Sequence, residues 1–336
     1  MKDSIPSRED FPCHTSYGKS SGMTAPRLSV VVPCYNEQTG LHELHRRVAE
    51  VCEASTGDSY ELVLVNDGST DETWKMMEEL CATNPHAVAV DLSRNYGHQL
   101  ALSAGLQLCR GERILILDAD LQDPPELLPR MMARMDEGID VVFGQRIERA
   151  GETAFKKTTA HLFYRLLNSL VDVEIPPDTG DFRLMSRRAV DILNAMPENH
   201  RFIRGMVSWI GLRQEAQPYE RAPRFAGHTN YTLSRMLKLA FDAITGFSVR
   251  PLRLASYAGV GCSIAAFLIL IYLLVEHFTG HTIVGWTSIA ALILVIGSIQ
   301  MFIIGIIGEY LGRLYMEAKG RPLYIVRAIT RGEAAR

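Results

Sequence analysis

The sequence lacks an excess of either charge and lacks any regular cysteine spacing. Its formal net charge is −3, which argues against a nucleic-acid binder, because such proteins depend on clustered positive charge. The six cysteines are scattered without a CxxC pair, so we expect reduced packing residues of a cytosolic domain rather than a zinc site. The first 26 residues lack an apolar segment of signal-peptide length, and we expect a disordered leader there.

Charged side chains are also missing from two long stretches near the C-terminus. Residues 254–275 and 287–308 contain none. At about 1.5 Å per helical residue, each stretch can cross the roughly 30 Å hydrocarbon core of a bilayer. A core helix of a soluble protein rarely stays uncharged for so long. We therefore predict two transmembrane helices, joined by a short connection into a hairpin whose outer ends lie on the same side of the membrane.

The distribution of Lys and Arg around the hairpin predicts its orientation. The connection, residues 276–286, has neither, whereas positive residues flank the outer ends of both spans. These residues are Arg250, Arg253, Arg313, Lys319, Arg321 and Arg327. By the positive-inside rule we expect a multi-pass protein of the inner (plasma) membrane, with the large N-terminal domain and the C-terminus in the cytoplasm. Small residues in the spans would permit close helix packing and thus a homo-oligomer.

An amphipathic pattern precedes the first span. Apolar residues from Leu233 to Ile244 recur at helical spacing, and the charged residues between them fall on the other side. Next to a membrane span, we expect this helix, residues 231–252, to lie along the bilayer surface as an interfacial helix. A helix packed on a soluble core is the alternative.

Short apolar segments alternate with helical patterns from residue 28 onward. The predicted strands are 28–32, 61–65, 88–92, 113–117 and 141–143. The predicted helices are 40–54, 71–82, 98–109 and 125–137. This alternation is typical of an α/β fold, in which right-handed βαβ units build a sheet with helices on both faces. Residues 148–223 are irregular and Arg-rich, which suits a second lobe that completes a site at the sheet edge.

The most informative segment is LILDADLQDPPE, residues 115–126. A buried strand runs into two carboxylates, Asp118 and Asp120, and side-chain alternation would point both to the same side at its carboxyl end. Open α/β sheets bind ligands at that edge. Two carboxylates so close repel each other unless a cation lies nearby, and a divalent ion completed by substrate phosphates fits such a pair. An acid-rich helix N-terminus, which the helix dipole favours, is the alternative.

Polar loops follow the first two predicted strands at the same edge, with the sequences PCYNE and NDGSTDET. Gly68 permits a tight turn, and the segment from Ser69 to Asp71 can cap the next helix. Capping does not explain Asp67. A carboxylate at the end of a strand can accept hydrogen bonds from a nucleotide base or from a ribose hydroxyl.

The ordered set of motifs resembles a known family. The segments VVPCYNE, VNDGSTDET, LSRNYGHQLALSAGL, ILDADLQDPPEL and DTGDFRLMSRRA are similar to those of the inverting GT-A glycosyltransferases of family 2. Within that family they resemble the polyprenyl-phosphate hexosyltransferases, which include dolichol-phosphate mannose synthase and the bactoprenol glucosyltransferases. The two spans and the tail EYLGRLYMEAKGRPLYIV resemble the bactoprenol subgroup.

The resemblance extends over about residues 27–327 and implies a domain organisation. A Rossmann-like mixed sheet with helices on both faces would form the GT-A catalytic domain. The expected divisions are a leader (1–26), the GT-A domain (27–230), the juxtamembrane helix (231–252), the two spans (253–309) and a cytoplasmic tail (310–336).

The resemblance also implies donor-side roles for the matching residues. The first loop and the NDG aspartate would hold the nucleoside, through Pro33, Tyr35, Glu37 and Asp67. Asp120 and Gln122 would bind Mg²⁺ or Mn²⁺ directly, and Asp118 would lie beside this metal on the nucleotide side. Arg146, after the fifth strand, would meet a phosphate. A solvated arginine at a strand end is the alternative for Arg146.

On the acceptor side the resemblance implies three residues. Asp181 occupies the place of an acceptor-side acid, and Arg201 and Arg204 resemble arginines that pair with the acceptor phosphate. Arginines that cap a helix are the alternative. A lipid phosphate has a second pKa of about 6, so its oxygen is largely ionised at neutral pH and needs little base catalysis. The sequence leaves open whether Asp181 is a base or only binds substrate. We expect Asp120, Asp181 and Arg204 to be catalytic.

One segment departs from the family pattern. The family commonly carries Ser-Lys-Tyr where this chain has Thr229-Asn230-Tyr231. The missing lysine removes a positive charge near the expected diphosphate or lipid phosphate. His228 and Arg235 are candidates to replace it.

The expected activity is transfer of one sugar from a nucleotide donor, with UDP-glucose the first choice, to a polyprenyl phosphate such as undecaprenyl phosphate. UDP-galactose, UDP-N-acetylhexosamine, an aminoarabinose donor and GDP-mannose stay open. A processive polysaccharide synthase is one alternative, but the chain has RGMVSW in place of a QxxRW motif, and two spans cannot line a channel. A non-catalytic nucleotide-sugar-binding scaffold would predict an eroded acidic pair or a broken first loop, and both are intact.

Overall fold

The structure is a computed structural model, and it describes residues 25–147, 179–220, 248, 250–279 and 286–333. By their internal contacts, the residues fall into two units. Of the described residues, the first unit contains 25–147, 179–220 and 322–333, and the second contains 248, 250–279 and 286–321.

The first unit is built on one mixed sheet, whose strand order is β7-β5-β6-β4-β1-β2-β3-β8. The strands are β1 Leu28–Cys34, β2 Tyr60–Asn66, β3 Ala87–Leu92, β4 Arg113–Ile116, β5 Val141–Arg146, β6 Thr179–Ser186, β7 Gln214–Tyr219 and β8 Val326–Arg331. Strand β6 is antiparallel to β4 and β5, and β8 is antiparallel to β3; the other pairings are parallel. The central strands are buried along their whole length, as expected for parallel strands that are covered on both faces.

Helices connect these strands. They are α1 Leu41–Thr56, α2 Thr73–Thr83, α3 His98–Leu108, α4 Leu128–Asp136, α5 Arg187–Ala195 and α6 Ile203–Ile210, and a short 3₁₀ turn, Pro125–Leu127, precedes α4. Helix α1 illustrates why they form where they do. Its buried residues are Leu41, Leu44, Val48 and Cys52, a spacing that gives one apolar stripe toward the sheet.

The helices cover both faces of the sheet. Val30 and Val32 of β1 belong to the same apolar cluster as Leu44 of α1. Val31, which points the other way, lies so close to α3 that a Cβ added at Gly105 would be 2.3 Å from its Cγ1. Because successive side chains of a strand point to opposite faces, α1 and α3 lie on opposite sides. The α/β fold predicted from the sequence is confirmed.

The register of the strands brings several loops to one edge. Cys34 at the end of β1 pairs with Asn66 at the end of β2, so the loops that follow these strands begin side by side. Ile116 of β4 pairs with Arg183 of the antiparallel β6. Continuing this register by two residues sets Asp118 opposite Asp181, although the two residues are far apart in sequence.

The second unit contains two long helices, α7 Arg250–Phe278 and α8 Trp286–Ala318. Each is long and apolar enough to cross a membrane, over Leu252–Ile269 and Val295–Ala318. Most of their described large apolar side chains are exposed, a surface that is unfavourable in water. A Cβ added at Gly259 would lie 3.9 Å from Ile303 Cδ1, so the two helices approach each other at a glycine, one of the small residues within the predicted spans.

The predicted elements of the first half lie within a few residues of the observed ones, but β6, β7 and β8 were not predicted. Strand β8 belongs to the segment assigned to the C-terminal tail, and it extends the sheet of the first unit by pairing with β3. Residues 1–24 of the predicted leader, residues 148–178 and 221–223 of the irregular segment, and residues 231–247 of the predicted juxtamembrane helix lie outside the described residues.

Candidate active site

The candidate site lies at the carboxyl ends of the central parallel strands. Strand β6 runs in the opposite direction, so it is the start of β6 that reaches this edge. Asp181, the third residue of β6, is therefore placed beside the loop that follows β4. Four segments meet here: the loops after β1, β2 and β4, and the N-terminus of α3.

Asp181 is the most highly connected group of the site. It is buried, with 2% of its surface exposed. Its Oδ1 accepts a hydrogen bond from Arg204 Nε at 2.8 Å, and its Oδ2 accepts from Gln99 Nε2 at 3.0 Å and lies 3.1 Å from His98 Nε2. Burial acts to raise the pKa of Asp181, but Arg204 and His98 outweigh it and hold the pKa well below its usual range. Asp181 is thus an ionised anchor for two cationic side chains.

His98 lies between two carboxylates. Its Nε2 is 3.1 Å from Asp181 Oδ2 and 3.5 Å from Asp118 Oδ1. Partial burial acts to lower the pKa of His98, but the hydrogen bond to Asp181 and the charges of Asp118 and Asp181 raise it to about 9. The imidazole is therefore cationic at neutral pH, and its charge offsets the repulsion between the two acids that approach its Nε2.

Asp118 is a carboxylate whose surroundings disfavour its negative charge. Burial, against the opposing effect of His98 and together with the neighbouring carboxylates of Asp181, Asp123 and Asp120, raises its pKa to about 6. Among the described residues its Oδ1 accepts no hydrogen bond. One ligand atom each from His98, Asp118 and Asp181 falls within 4.8 Å of the others. Because a protonated imidazole is not a metal ligand and Asp181 already pairs with Arg204, Asp118 is the member of this cluster that can bind a divalent cation.

Asp120 and Gln122 lie in a turn rather than on a strand. Strand β4 ends at Ile116, so the side-chain alternation predicted for Asp118 and Asp120 does not apply. Asp120 Oδ1 accepts a hydrogen bond from Gln122 N at 3.2 Å, and Leu121 adopts a left-handed φ of 56°, which is uncommon for a leucine. The chain reverses here, and both Asp120 and Gln122 stay partly exposed.

The loops after β1 and β2 are locked together by hydrogen bonds. Asn36 has a left-handed φ of 57°, and its Oδ1 accepts from Thr70 N at 2.9 Å. Glu37 N donates to Thr73 Oγ1 at 2.9 Å. Tyr35 at the tip keeps 47% of its surface exposed, whereas Pro33 is buried at the end of β1. The Tyr35 side chain is thus exposed on a loop that hydrogen bonds hold in place.

Asp67 fixes the loop that leads into α3. It is 3% exposed, and its two carboxylate oxygens accept hydrogen bonds from Tyr96 N at 2.7 Å and Gly97 N at 2.9 Å. Burial raises the pKa of Asp67, and these two amides oppose that rise. A Cβ at Gly68, where φ is +65°, would lie 2.5 Å from the backbone of Arg94. The NDG turn thus presses against the segment that positions His98.

The two arginines predicted for the acceptor phosphate differ in their surroundings. Arg204 pairs with Asp181 and also donates from Nη1 to Thr179 O at 3.0 Å, and 25% of its side chain is exposed. Arg201 is 8% exposed. It donates to the carbonyls of Leu193 at 2.6 Å and Met196 at 3.2 Å, near the end of α5. Arg201 therefore occupies the helix-capping role that was its alternative interpretation.

Arg146 lies at the end of β5, as predicted, and contacts two groups of the site that the sequence did not single out. Its Nε donates to Tyr219 Oη at 3.3 Å, and its Nη2 is 3.9 Å from Asp123 Oδ1. Sequence reasoning also missed His98 and Gln99. Both stand in the motif LSRNYGHQ after the third strand, where a polar segment at a strand end was the available signal.

Several predicted residues cannot be placed. His228, Asn230 and Arg235 lie outside the described residues, so the departure from the Ser-Lys-Tyr pattern stays a prediction.

Comparisons with known proteins identify the family of the chain. The family model described as glycosyl transferase family 2 matches residues 29–193, and the model described as GtrB C-terminal hairpin matches residues 250–314. An uncharacterized glycosyltransferase of Bacillus subtilis (strain 168) is 49% identical to this chain and covers 90% of it and 93% of the relative. A protein of Escherichia coli (strain K12), named prophage bactoprenol glucosyl transferase homolog, is 36% identical, over 90% of this chain and 99% of that protein.

Among solved structures, the mannosyltransferase of Pyrobaculum calidifontis in complex with GDP-Man and Mn²⁺ is 17% identical, covers 86% of this chain and 88% of its own, and has a TM-score of 0.45. We draw no conclusion from a structural similarity of that size. The sequence relatives are decisive, because they share more than a third of their residues with this chain over nearly its whole length. The chain is a glycosyltransferase and belongs to glycosyltransferase family 2.

Proposed function

We propose that this chain is a membrane-anchored inverting glycosyltransferase that moves one sugar from a nucleotide donor onto a polyprenyl phosphate and releases a nucleoside diphosphate. Glucose from UDP-glucose is the proposed donor, and undecaprenyl phosphate is the proposed acceptor. The hairpin of α7 and α8 would provide the anchor in the inner membrane, with the first unit in the cytoplasm.

The observation that carries the proposal is the charge arrangement at Asp181. One buried carboxylate meets two cationic side chains, His98 and Arg204. Asp118, in the loop of residues 117–124 that follows β4 (the acidic loop), approaches the same nitrogen of His98. Acidic groups suited to a metal–diphosphate and the guanidinium of Arg204, suited to an incoming phosphate, are thus brought to one place. A transferase that joins a nucleotide-bound sugar to a phosphate requires both.

The names of relatives support the acceptor. The protein of Shigella flexneri named SfII prophage-derived bactoprenol glucosyl transferase is 35% identical over 91% of this chain, and the Escherichia coli relative carries a similar name. Bactoprenol is a polyprenol, so its phosphate has the single charged head and long apolar tail that suit an enzyme with a membrane hairpin. The same names support glucose as the first sugar to test.

The proposed donor site uses the loops after β1 and β4. Tyr35 and Glu37, supported by Pro33, would line the nucleoside, and Asp67 would hold the adjoining loop in place. Arg146 would meet the diphosphate, where a guanidinium can bind two oxygens at once.

The residues of the acidic loop fit a divalent ion. Asp118 has a pKa raised to about 6 and a buried oxygen that accepts no hydrogen bond among the described residues. Carboxylate and amide oxygens are the hard ligands that Mg²⁺ and Mn²⁺ prefer. Asp118, Asp120 and Gln122 would hold the ion. When bound, it would supply positive charge that stabilises the departing diphosphate.

The chain's own residues account for the rest of the reaction. An oxygen of the acceptor phosphate forms the new bond to the anomeric carbon, on the face opposite the donor diphosphate. The bond between the anomeric carbon and the diphosphate breaks, and its electron pair stays on the diphosphate. The phosphate oxygen is already ionised at neutral pH, and the low pKa of Asp181 makes this residue a poor proton acceptor. We therefore assign Asp181 to holding Arg204 and His98, and Arg204 to binding the acceptor phosphate.

The experiment that tests the proposal uses the full-length protein in detergent. It is incubated with undecaprenyl phosphate, a panel of nucleotide sugars and Mg²⁺ or Mn²⁺, and both nucleoside diphosphate release and glycolipid formation are measured. We expect UDP-glucose to be used, activity to be lost with a chelator, and Asp120→Asn to reduce turnover by about a hundredfold or more. Asp58→Asn is the matched control, because that side chain is fully exposed, at 101%. Diphosphate release without glycolipid would contradict the acceptor, and full activity of Asp120→Asn would contradict the site.

A further inference from the structure

A buried carboxylate that the proposed mechanism does not use closes the acidic loop. Asp123 has none of its surface exposed. Its Oδ1 accepts a hydrogen bond from the hydroxyl of Tyr219, and Arg146 Nη2 lies 3.9 Å from the same oxygen. Arg146 Nε in turn donates to Tyr219 Oη at 3.3 Å. The three side chains form a closed polar triangle between the acidic loop and strands β5 and β7, called here the Asp123 triangle.

The backbone is arranged to leave room for the Asp123 triangle. Arg146 and Tyr219 are direct partners in the parallel pairing of β5 and β7. A Cβ added at Gly180 would lie 2.7 Å from Arg146 Nη2, so a larger residue there would displace the guanidinium. The Tyr219 ring packs edge-on against Phe182, with centroids 5.7 Å apart. The positions of the hydroxyl and of the guanidinium are therefore fixed by the sheet.

The members of the Asp123 triangle differ in their exposure to solvent. Asp123 is wholly buried, whereas Arg146 keeps 29% of its side chain exposed at the edge where the donor diphosphate is expected. A buried carboxylate needs a charged or hydrogen-bonding partner, and here the partner is an arginine whose remaining surface faces outward. Such outer partners restrict the rotamers of the group that they hold, which favours one binding geometry.

We propose that Asp123 and Tyr219 are positioning residues that hold Arg146 in the geometry that binds the diphosphate of the donor. This inference rests on the proposed function, because it takes a nucleotide sugar as the ligand of Arg146. It differs from a purely structural role, in which the Asp123 triangle would only stabilise the edge of the sheet and leave donor binding unchanged in the folded enzyme.

The test is a double-mutant cycle in the full-length enzyme. Tyr219→Phe removes the hydroxyl and keeps the ring, and Arg146→Gln removes the charge; each is compared with the double variant. We expect Tyr219→Phe to lower kcat/KM for UDP-glucose about tenfold, the loss of one hydrogen bond in a network with a charged group, with KM for the lipid unchanged. In the Arg146→Gln background the same substitution should change kcat/KM by less than about twofold. Asp123→Asn is expected to behave like Tyr219→Phe.

Tyr60→Phe is the matched control. Its hydroxyl also contacts a carboxylate, Glu53 Oε1 at 3.4 Å, but Tyr60 begins β2 at the opposite edge of the sheet. It should leave kcat/KM unchanged. Melting temperatures of all variants separate unfolding from mispositioning, and Tyr219→Phe keeps the inference testable if Asp123→Asn fails to fold.

Binding of UDP with Mg²⁺, measured by calorimetry on the same variants, separates failure of this inference from failure of the proposed function. If the wild-type enzyme transfers no sugar, the proposed function is wrong. The positioning role would still be supported if Tyr219→Phe weakens UDP binding in the wild-type background but causes no further weakening in the Arg146→Gln background. An effect of Tyr219→Phe that persists undiminished in the Arg146→Gln background, or no effect on either measurement, would overturn it.

Discussion

Arg204 and Asp181 form a two-point ion pair, in which Nε lies 2.8 Å from Oδ1 and Nη2 lies 3.3 Å from Oδ2. The carboxylate is buried and a quarter of the arginine side chain is exposed. The pair therefore presents a guanidinium whose inner edge is held and whose outer surface can meet a ligand. A lysine has a single ammonium group in place of the planar guanidinium, so it cannot make two hydrogen bonds to Asp181 and also present a second face to a phosphate. Replacing Arg204 by lysine should therefore impair binding of the acceptor.

Arg204→Lys should lower kcat/KM for the lipid acceptor by roughly ten- to a hundredfold, with KM for the nucleotide sugar nearly unchanged. Steady-state kinetics with each substrate varied in turn measure both effects. The exposed arginine of the Arg46–Glu43 pair provides the control, and Arg46→Lys should behave as wild type. An Arg204→Lys enzyme with a changed KM for the nucleotide sugar alone would place Arg204 on the donor side.

Arg201 should respond differently although it lies close in sequence. Its terminal nitrogens donate to the carbonyls of Leu193 and Met196, and its removal would leave those carbonyls without these donors. Arg201→Met should therefore destabilise the fold by about 1–3 kcal/mol and lower the melting temperature, while the folded fraction keeps its kcat and its KM for the lipid. A variant of unchanged melting temperature with a raised KM for the lipid would restore Arg201 to the acceptor site.

The early part of the fold could be predicted because each central strand is rich in apolar residues and the helices between them show an apolar stripe, as in α1. Strands β7 and β8 could not, because they lie at the two ends of the sheet order and carry polar residues, as in the sequences QEAQPY and VRAITR. Edge strands need little burial, so their sequences carry a weak hydrophobic signal.

The same limit applies to the site. The acidic loop and the polar loops after β1 and β2 are recognisable because each follows an apolar strand. The proximity of Asp118 and Asp181 depends on the antiparallel pairing of β4 with β6, a contact between segments that are distant in sequence. The role of His98 follows only from that pairing. Arg201 and Arg204 look alike in sequence, and only the position of α5 separates them.

The low pKa of Asp181 predicts an acid-dependent stability. In the unfolded chain this carboxyl titrates near pH 4, whereas in the folded protein Arg204 and His98 hold its pKa well below that value against the effect of burial. The ionised form thus stabilises the fold above about pH 4, and this stabilisation is lost as the pH falls toward the folded pKa. Melting temperatures between pH 3 and 7 should fall less steeply for Asp181→Asn than for wild type, starting from a lower value at pH 7. Parallel curves would contradict the ion pair.

Asp67 gives the last prediction, because two roles for it have different consequences. Its two oxygens accept hydrogen bonds from the amides of Tyr96 and Gly97, so Asp67→Asn would turn an NH₂ group toward one of these N–H donors. The loop before His98 would shift, and turnover should fall about tenfold or more for UDP-, CDP- and GDP-glucose alike. If Asp67 instead hydrogen-bonds to the nucleotide base, the substitution should reduce the ratio of kcat/KM for UDP-glucose to kcat/KM for CDP- and GDP-glucose. Competition assays with the three donors, run on enzyme of verified melting temperature, distinguish a residue that supports the site from one that selects the nucleotide.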